Sequence, residues 1–354
     1  MEGWDGFSLT CRQWQERMKE TGQPAFRGRQ IFGWLHGGKV SSYQQMSNLP
    51  KDLRERLEEE IPLHPMEVSL VQSSAKDGTR KYLMRLWDGE HIETVFMRYH
   101  YGASLCISSQ VGCRMGCRFC ASTLSGRIRD LTPGEMAQQI YLAERDTGET
   151  ISHVVVMGCG EPFDNYEALC AFLELIHDPA GHHMSLRNIT VSTCGLTERI
   201  QDFAKLDLGV TLAVSLHAPN DEIRKELMPI ARKVPMDRLL QACREYTEIT
   251  RRRITFEYAL AQGVNDSPDH ARELAGRLRG MLCHVNLIPV NPVTERDLSP
   301  SKDGRVQAFL RILEAHHIPV TLRRELGRDI DAACGQLRRR AKEQEEKDGS
   351  GSEM

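Results

Sequence analysis

The chain has 354 residues, 40% of them hydrophobic and 27% charged, with a formal net charge of −3. This is globular composition, long enough for an α/β barrel with an appendage. A global positive field is excluded, so any nucleic-acid surface must be a local patch. No run of about 18 apolar residues occurs, so no spanning helix is expected. The N-terminal stretch "MEGWDGFSLTCRQWQERMKE" lacks the basic and apolar regions of a signal peptide, and a cytoplasmic protein is expected. Eleven cysteines, an odd number in a reducing compartment, argue against a disulfide framework and must be sorted one by one.

Residues 1–65 read as short helices: "TCRQWQERMKE", "RGRQIFGWLHGG" and "YQQMSNLPKDLRERLEEE", punctuated by Gly37-Gly38 and Pro50. They read as a small helical domain with several arginines and lysines. Residues 66–101 carry "GTRKYLMRLWDGEHIETVFMRYH", two alternating runs about a central Asp-Gly, which predicts a β-hairpin extension.

From residue 102 to 337, strand-length apolar runs alternate with helix-length segments. The strands are "SLCISSQV", "HVVVMG", "NITVST", "VTLAVSLH", "ITFEYAL" and "HVNLIPVN", with a last strand "PVTLRREL". Six or more β-α units imply a parallel sheet, open or closed into a barrel, whose chemistry collects at the C-terminal strand ends. Those ends are polar and glycine-rich: "MGCGEP", "STCG", "SLHAPN", "EY" and "PVNP". Residues 338–354, "RRRAKEQEEKDGSGSEM", form a charged, frayed tail.

After the first barrel strand, "CRMGCRFC" sets Cys113, Cys117 and Cys120 at C-x3-C-x2-C spacing. Three thiols this close suit a metal. A structural zinc site wants four protein ligands, and no fourth Cys or His follows at finger spacing. Three cysteines leave one iron of a [4Fe–4S] cluster free to bind a small molecule.

This spacing after a first barrel strand resembles the radical S-adenosylmethionine (SAM) superfamily. The resemblance sharpens over "CISSQVGCRMGCRFCAST", "MGCGEPFDN", "STCG", "SLHAPNDEIRKELMPI", "GVNDSPDHA", "HVNLIPVNP" and "GRDIDAACGQL". Together these are similar to the 23S ribosomal RNA adenine C2-methyltransferases, whose close relatives methylate C8 of the same adenine and confer antibiotic resistance. The match runs from about residue 20 to 340.

The resemblance implies a partial (β/α)6 barrel of TIM-like form with the helical domain and hairpin extension added. It implies that Cys113, Cys117 and Cys120 hold one cluster, and that Gly160, Glu161, Ser192, Ser215, Leu216, His217 and Asn291 contact SAM. It further implies that Cys334 carries a methyl group taken from one SAM, while a second SAM yields the radical that activates it. Cys106 would resolve the RNA–protein adduct by forming a disulfide with Cys334, and Glu93 would accept the C2 proton.

On its own, Cys334 among Ala332, Ala333 and Gly335 reads as a small packing thiol, Cys106 as a buried strand thiol and Glu93 as a solvated hairpin residue. Cys11, Cys170, Cys243 and Cys283 read as packing residues. Cys159 and Cys194 stand where the family often has Met or Ile and Ser, and would add oxidation-sensitive thiols near the cluster.

The implied partners are 23S rRNA, a tRNA anticodon loop as a second substrate, and an electron donor such as flavodoxin or ferredoxin; a monomer is expected. A stacked adenine must be unstacked to be reached. Phosphate contacts are expected from Arg27, Arg29 and Lys39, Arg127 and Arg129, Arg251 to Arg253, Arg323 and Arg324, or Arg338 to Arg340. The alternatives are C8 methylation of the same adenine, against which "GEPFDN" and "DIDAACGQL" weigh, and a non-catalytic Fe–S or zinc protein that binds RNA.

Overall fold

The structure, a computed structural model, describes residues 5–290, 297–324, 326–327, 329–330 and 337. It begins with α1 (Cys11–Glu20), α2 (Phe26–Phe32) and α3 (Lys51–Glu60). Thr10 and Gln13 cap α1 reciprocally, satisfying two N–H groups that the helix itself leaves open. α2 runs on as a π-turn over Gly33–Gly37. Trp14, Phe32, Leu35 and Tyr43 are buried and belong to the same continuous core as the main sheet.

The hairpin is present as β2 (Arg80–Arg85) and β3 (His91–Tyr99), and a strand not drawn from the sequence, β1 (Glu67–Ser73), pairs on its outer side. β1 is mostly exposed, so it lacks the half-buried alternation that makes a strand legible. β3 pairs antiparallel with β4 (Gly102–Cys106), so the hairpin continues the barrel sheet.

The stretch read as one strand over 104–111 divides. β4 ends at Cys106, and β5 (Gln110–Gly112) leaves the sheet to pair with β6 (Arg127–Asp130). Gly112 makes this possible. Its φ is +79°, and a Cβ there would lie 1.9 Å from the carbonyl oxygen of Gly126. The resulting two-stranded clasp encloses the cysteine loop.

The sheet then alternates with helices as expected. α4 (Pro133–Thr147) leads to β7 (Ile151–Val156), α5 (Tyr166–His177) to β8 (Ile189–Thr193) and α6 (Thr197–Leu206) to β9 (Thr211–Ser215). A short α7 (Asp221–Leu227), not drawn from the sequence, precedes α8 (Met236–Thr250) and β10 (Ile254–Leu260). α9 (Pro268–Leu278), β11 (Cys283–Pro289), α10 (Asp303–Ala315) and β12 (Val320–Leu322) complete the run.

The ten strands lie in sequence order across one sheet, β1 to β4 and then β7 to β12, and all pairings from β4 onward are parallel. β1 and β12 are its two edges, so the barrel is open. Residues at alternate positions sort to two faces. Val154, Val191, Leu212, Phe256 and Val285 pack against helices in the main core. Ser192, Ser215, Glu257 and Ile288, of opposite parity, line a cavity. No described helix is long and apolar enough to cross a membrane.

Candidate active site

A cavity of about 260 Å³ opens at the C-terminal strand ends. Cys113, Cys117 and Cys120 line it together with Gly160, Glu161, Ser192, Ser215 and His217. Of the seven residues expected to contact SAM, these five line the cavity; Leu216 does not, because its side chain is buried in the main core. Its backbone N–H donates to the Glu257 carbonyl at 3.1 Å. Asn291 and Cys334 lie outside the described residues.

The cysteine loop is held from several sides. Cys113 N–H donates to Gly126 O at 2.9 Å across the β5–β6 clasp, and Cys120 N–H to Cys117 O at 3.2 Å. The Thr123 hydroxyl donates to Cys120 O at 2.9 Å. Arg118 N–H reaches Leu227 O at 2.9 Å, tying the loop to α7, and Arg114 is ion-paired with Asp164. Burial pushes the Cys113 thiol up to about 12 and Cys117 well above its ordinary value. Thiols in so dry a pocket ionise when a metal takes the place of the proton.

The donor set fits an iron–sulfur cluster. Among the described residues no three His, Cys, Asp or Glu side chains converge on a single ion-sized point. Three thiols line one cavity, the number that leaves one iron of such a cluster open to a small molecule.

The glycine-rich turn after β7 packs on the β4–β5 connection. Gly158 N–H donates to Ile107 O at 3.0 Å, and Ser109 N–H to Cys159 O at 2.8 Å. Gly160 has φ +112°, and a Cβ there would lie 2.7 Å from both the backbone nitrogen and Cβ of Gln110. The next residue, Glu161, is thereby aimed inward. Its carboxylate accepts from Phe163 N–H at 3.0 Å and Cys194 N–H at 2.7 Å. Burial raises its pKa despite those two donors. A ligand ammonium would supply the missing positive partner.

His217 has a left-handed backbone, φ +54°, unusual for a residue with a side chain. Its Nδ1 accepts from Ala259 N–H at 2.9 Å. That fixes the tautomer, with the proton on Nε2. Burial, assisted by the positive charge of Arg224, lowers its pKa to about 3, so the ring is a neutral donor. Phe119 of the cysteine loop stands edge-on to it at 4.4 Å.

Cys106 and Glu93 are not among the residues that line this cavity. Cys106 pairs in register with Val95 on β3 and Val155 on β7. Glu93, two residues before Val95, therefore shares Cys106's face of the sheet on the diagonal. Both are buried. Glu93 is not a solvated residue: Lys81 Nζ, fully enclosed, lies 3.0 Å from its Oε2. Cys106 packs with Val95, Met97, Val155, Met157 and Leu326. Met157 also lines the cavity, and so joins the two regions. Cys334, the partner of Cys106 in the disulfide that the resemblance implies, lies outside the described residues.

Three of the basic residues proposed for phosphate contact are engaged internally. Lys39 pairs with Glu144 at 2.5 Å, Arg127 with Asp130 at 3.0 Å, and Arg129 with both Asp88 and Glu135. The sequence reading missed Phe119, Met157 and Arg224. Each belongs to a quoted motif, but which of a motif's side chains turn inward depends on strand parity and helix phase.

Comparison with known proteins agrees with this geometry. Residues 107–275 match the model of the radical SAM superfamily. Residues 7–63 match that of the ribosomal RNA large subunit methyltransferase N-terminal domain. The chain is 52% identical over 333 residues to a probable dual-specificity RNA methyltransferase RlmN of Lachnospira eligens, covering 94% of this chain and 95% of that one. A protein of the same description from Desulforamulus reducens is 51% identical over 326 residues, 92% and 93% of the two chains. The crystal structure of a radical SAM methyltransferase from Sphaerobacter thermophilus superposes with a TM-score of 0.90 at 45% identity, over 94% of this chain and 98% of that one.

Proposed function

The chain belongs to the RlmN family of radical SAM RNA methyltransferases, enzymes that use a [4Fe–4S] cluster and SAM, and on that premise we propose that it methylates C2 of an adenine in 23S rRNA through an S-methyl group on Cys334. A tRNA anticodon-loop adenine is the second substrate in this reading. The observation that carries it is the convergence of Cys113, Cys117, Cys120, Glu161, Ser192, Ser215 and His217 on one cavity whose wall continues through Met157 to Cys106.

C2 is electron-poor and carries an unreactive hydrogen, so simple displacement by a SAM methyl group does not reach it. When bound, the cluster supplies the electron that cleaves SAM to a deoxyadenosyl radical. The chain's own residues handle the rest. Glu161, in its buried ring of backbone donors, orients the methionine ammonium. His217 Nε2–H donates to the bound cofactor from a ring that stays neutral. The Cys334 thiolate takes a methyl group by displacement. Loss of a hydrogen atom from that S-methyl group would leave a carbon radical that bonds to C2. Once the C2 proton is lost, the Cys106 thiolate would bond to the Cys334 sulfur as its sulfur–carbon bond breaks, and the base, taking up a proton and giving back one electron, would leave as methyladenine with a Cys106–Cys334 disulfide behind. Glu93, beside Lys81, takes the proton from C2.

Leu326 sits against Cys106, eight residues before Cys334. Packing of Leu326 on the hydrophobic cluster that contains Cys106 supports this reading. A flavodoxin or ferredoxin would supply electrons to the monomeric enzyme. Mass spectrometry of nucleosides from 23S rRNA of cells expressing the chain tests the assignment. A 2-methyladenosine product is expected; an 8-methyladenosine product or an unmodified adenine would reject it.

A further inference from the structure

Arg224 is among the largest fully buried side chains of the protein. It lies on α7, whose first turn is capped by the Asn220 side chain accepting from Ile223 N–H. α7 and the residues after it back the cysteine loop. Leu227 O receives Arg118 N–H, Glu226 pairs with Arg118 at 2.7 Å, and a Cβ on Gly116 would meet Pro229 at 3.3 Å.

The guanidinium has two backbone acceptors. Nη2 donates to Cys194 O at 2.8 Å and Nη1 to Val234 O at 3.3 Å. Nε is buried without a partner. Gly195 leaves the space for it, since a Cβ there would lie 3.2 Å from Nη2. Among the described residues no carboxylate forms an ion pair with Arg224. Asp221, on the same helix, is occupied by Met236 N–H at 2.8 Å.

A buried cation is costly unless an anion answers it. The acidic groups that act on Arg224 are Cys194, Cys117, Asp221 and Cys243. Of these, Cys117 becomes a fixed anion when it ligates iron. The structure thus holds a cation in place for a charge that arrives with the cofactor.

We propose that Arg224 is a positioning residue that offsets the negative charge of the thiolate-ligated [4Fe–4S] cluster and favours its one-electron reduction. One electron enters from a low-potential donor, no bond forms or breaks, and the cluster becomes more negative by one charge. A fixed cation nearby stabilises the more negative state. The inference rests on the assignment of Cys113, Cys117 and Cys120 as cluster ligands.

The test is a dithionite-poised redox titration of anaerobically purified full-length protein, followed by the electron paramagnetic resonance signal of the reduced cluster, with iron content measured on each sample. Arg224→Met removes the charge at similar length, and Arg224→Lys keeps it. In the Met variant the reduced-to-oxidised ratio at fixed poise should fall about tenfold, equivalent to about 59 mV for one electron. The Lys variant should stay close to the parent. Loss of iron from the Met variant but not the Lys variant would also support the charge role. Equal potentials in the Met variant and the parent would overturn it. So would equal shifts, or equal loss of iron, in both variants, which would assign Arg224 to its carbonyl contacts alone. A parent protein without iron would instead reject the cluster assignment itself.

Discussion

Ser74 and Asp329, 255 residues apart in the chain, are joined by a 2.6 Å hydrogen bond from the Ser74 hydroxyl to Asp329 Oδ1. Ala75 N–H donates to the other carboxylate oxygen at 3.0 Å, and Gly327 N–H donates to Asp77 Oδ2 at 2.8 Å. The turn between β1 and β2 thus holds the segment that leads to Cys334, five residues beyond Asp329. Asp329→Ala should lower RNA methylation several-fold, because the turn loses both hydrogen bonds to that carboxylate. Iron content and reductive SAM cleavage without RNA should be unchanged. A parallel fall in SAM cleavage would show that the contact serves the barrel rather than the carrier segment.

Lys81 and Glu93 are both enclosed. Lys81→Met strands a buried carboxylate and should cost about 3–5 kcal/mol in denaturant unfolding. Adding Glu93→Gln removes the stranded charge and should restore most of that stability. Methylation should not recover in the double variant, because the proposed proton acceptor is then gone. Recovery of both together would make the pair structural only.

Gly160→Ala places a methyl group against Gln110 at a backbone angle that L residues rarely adopt. SAM affinity, read by calorimetry on the reconstituted enzyme, should weaken at least roughly tenfold, since Glu161 must move. Gly276 on α9 is the control. A Cβ there meets nothing within 4 Å, and Gly276→Ala should stabilise by about 0.5–1 kcal/mol.

His36 joins the helical domain to the barrel, with its Nδ1 2.9 Å from the Tyr141 hydroxyl. Burial, reinforced by His182 nearby, lowers its pKa from 6.5 to about 3. As pH falls through the unfolded value, the unfolded chain takes up a proton that the folded one refuses. The contribution is therefore complete above 6.5 and lost progressively as pH falls towards 3. His36→Gln should flatten the stability profile between about pH 4 and 6 by up to about 1.4 kcal/mol per pH unit. His217, shifted the same way, should leave a residual slope. An unchanged slope in the variant would mean that His36 titrates normally.

Much of the site was legible because its signals are local. The spacing of Cys113, Cys117 and Cys120 and the glycines before Glu161 lie within single turns, and each turn follows an apolar run readable as a strand. β1 was not legible, since its residues are mostly exposed and carry no alternation. The break between β4 and β5 was hidden because Ser108 and Ser109 continue a strand-like run, and only the pairing of Gln110, Val111 and Gly112 with β6 pulls it from the sheet.

The sequence by itself determined the order of strands and helices, the three-thiol motif and the family, since these depend on spacing along the chain. Tertiary structure decided which groups meet. Register set Glu93 diagonal to Cys106, and burial turned an apparently solvated carboxylate into the partner of Lys81. It also enclosed Arg224, on the helix behind the cysteine loop, with no carboxylate ion-paired to it among the described residues. Such relations depend on strand parity and on desolvation, and neither exists until the sheet has formed.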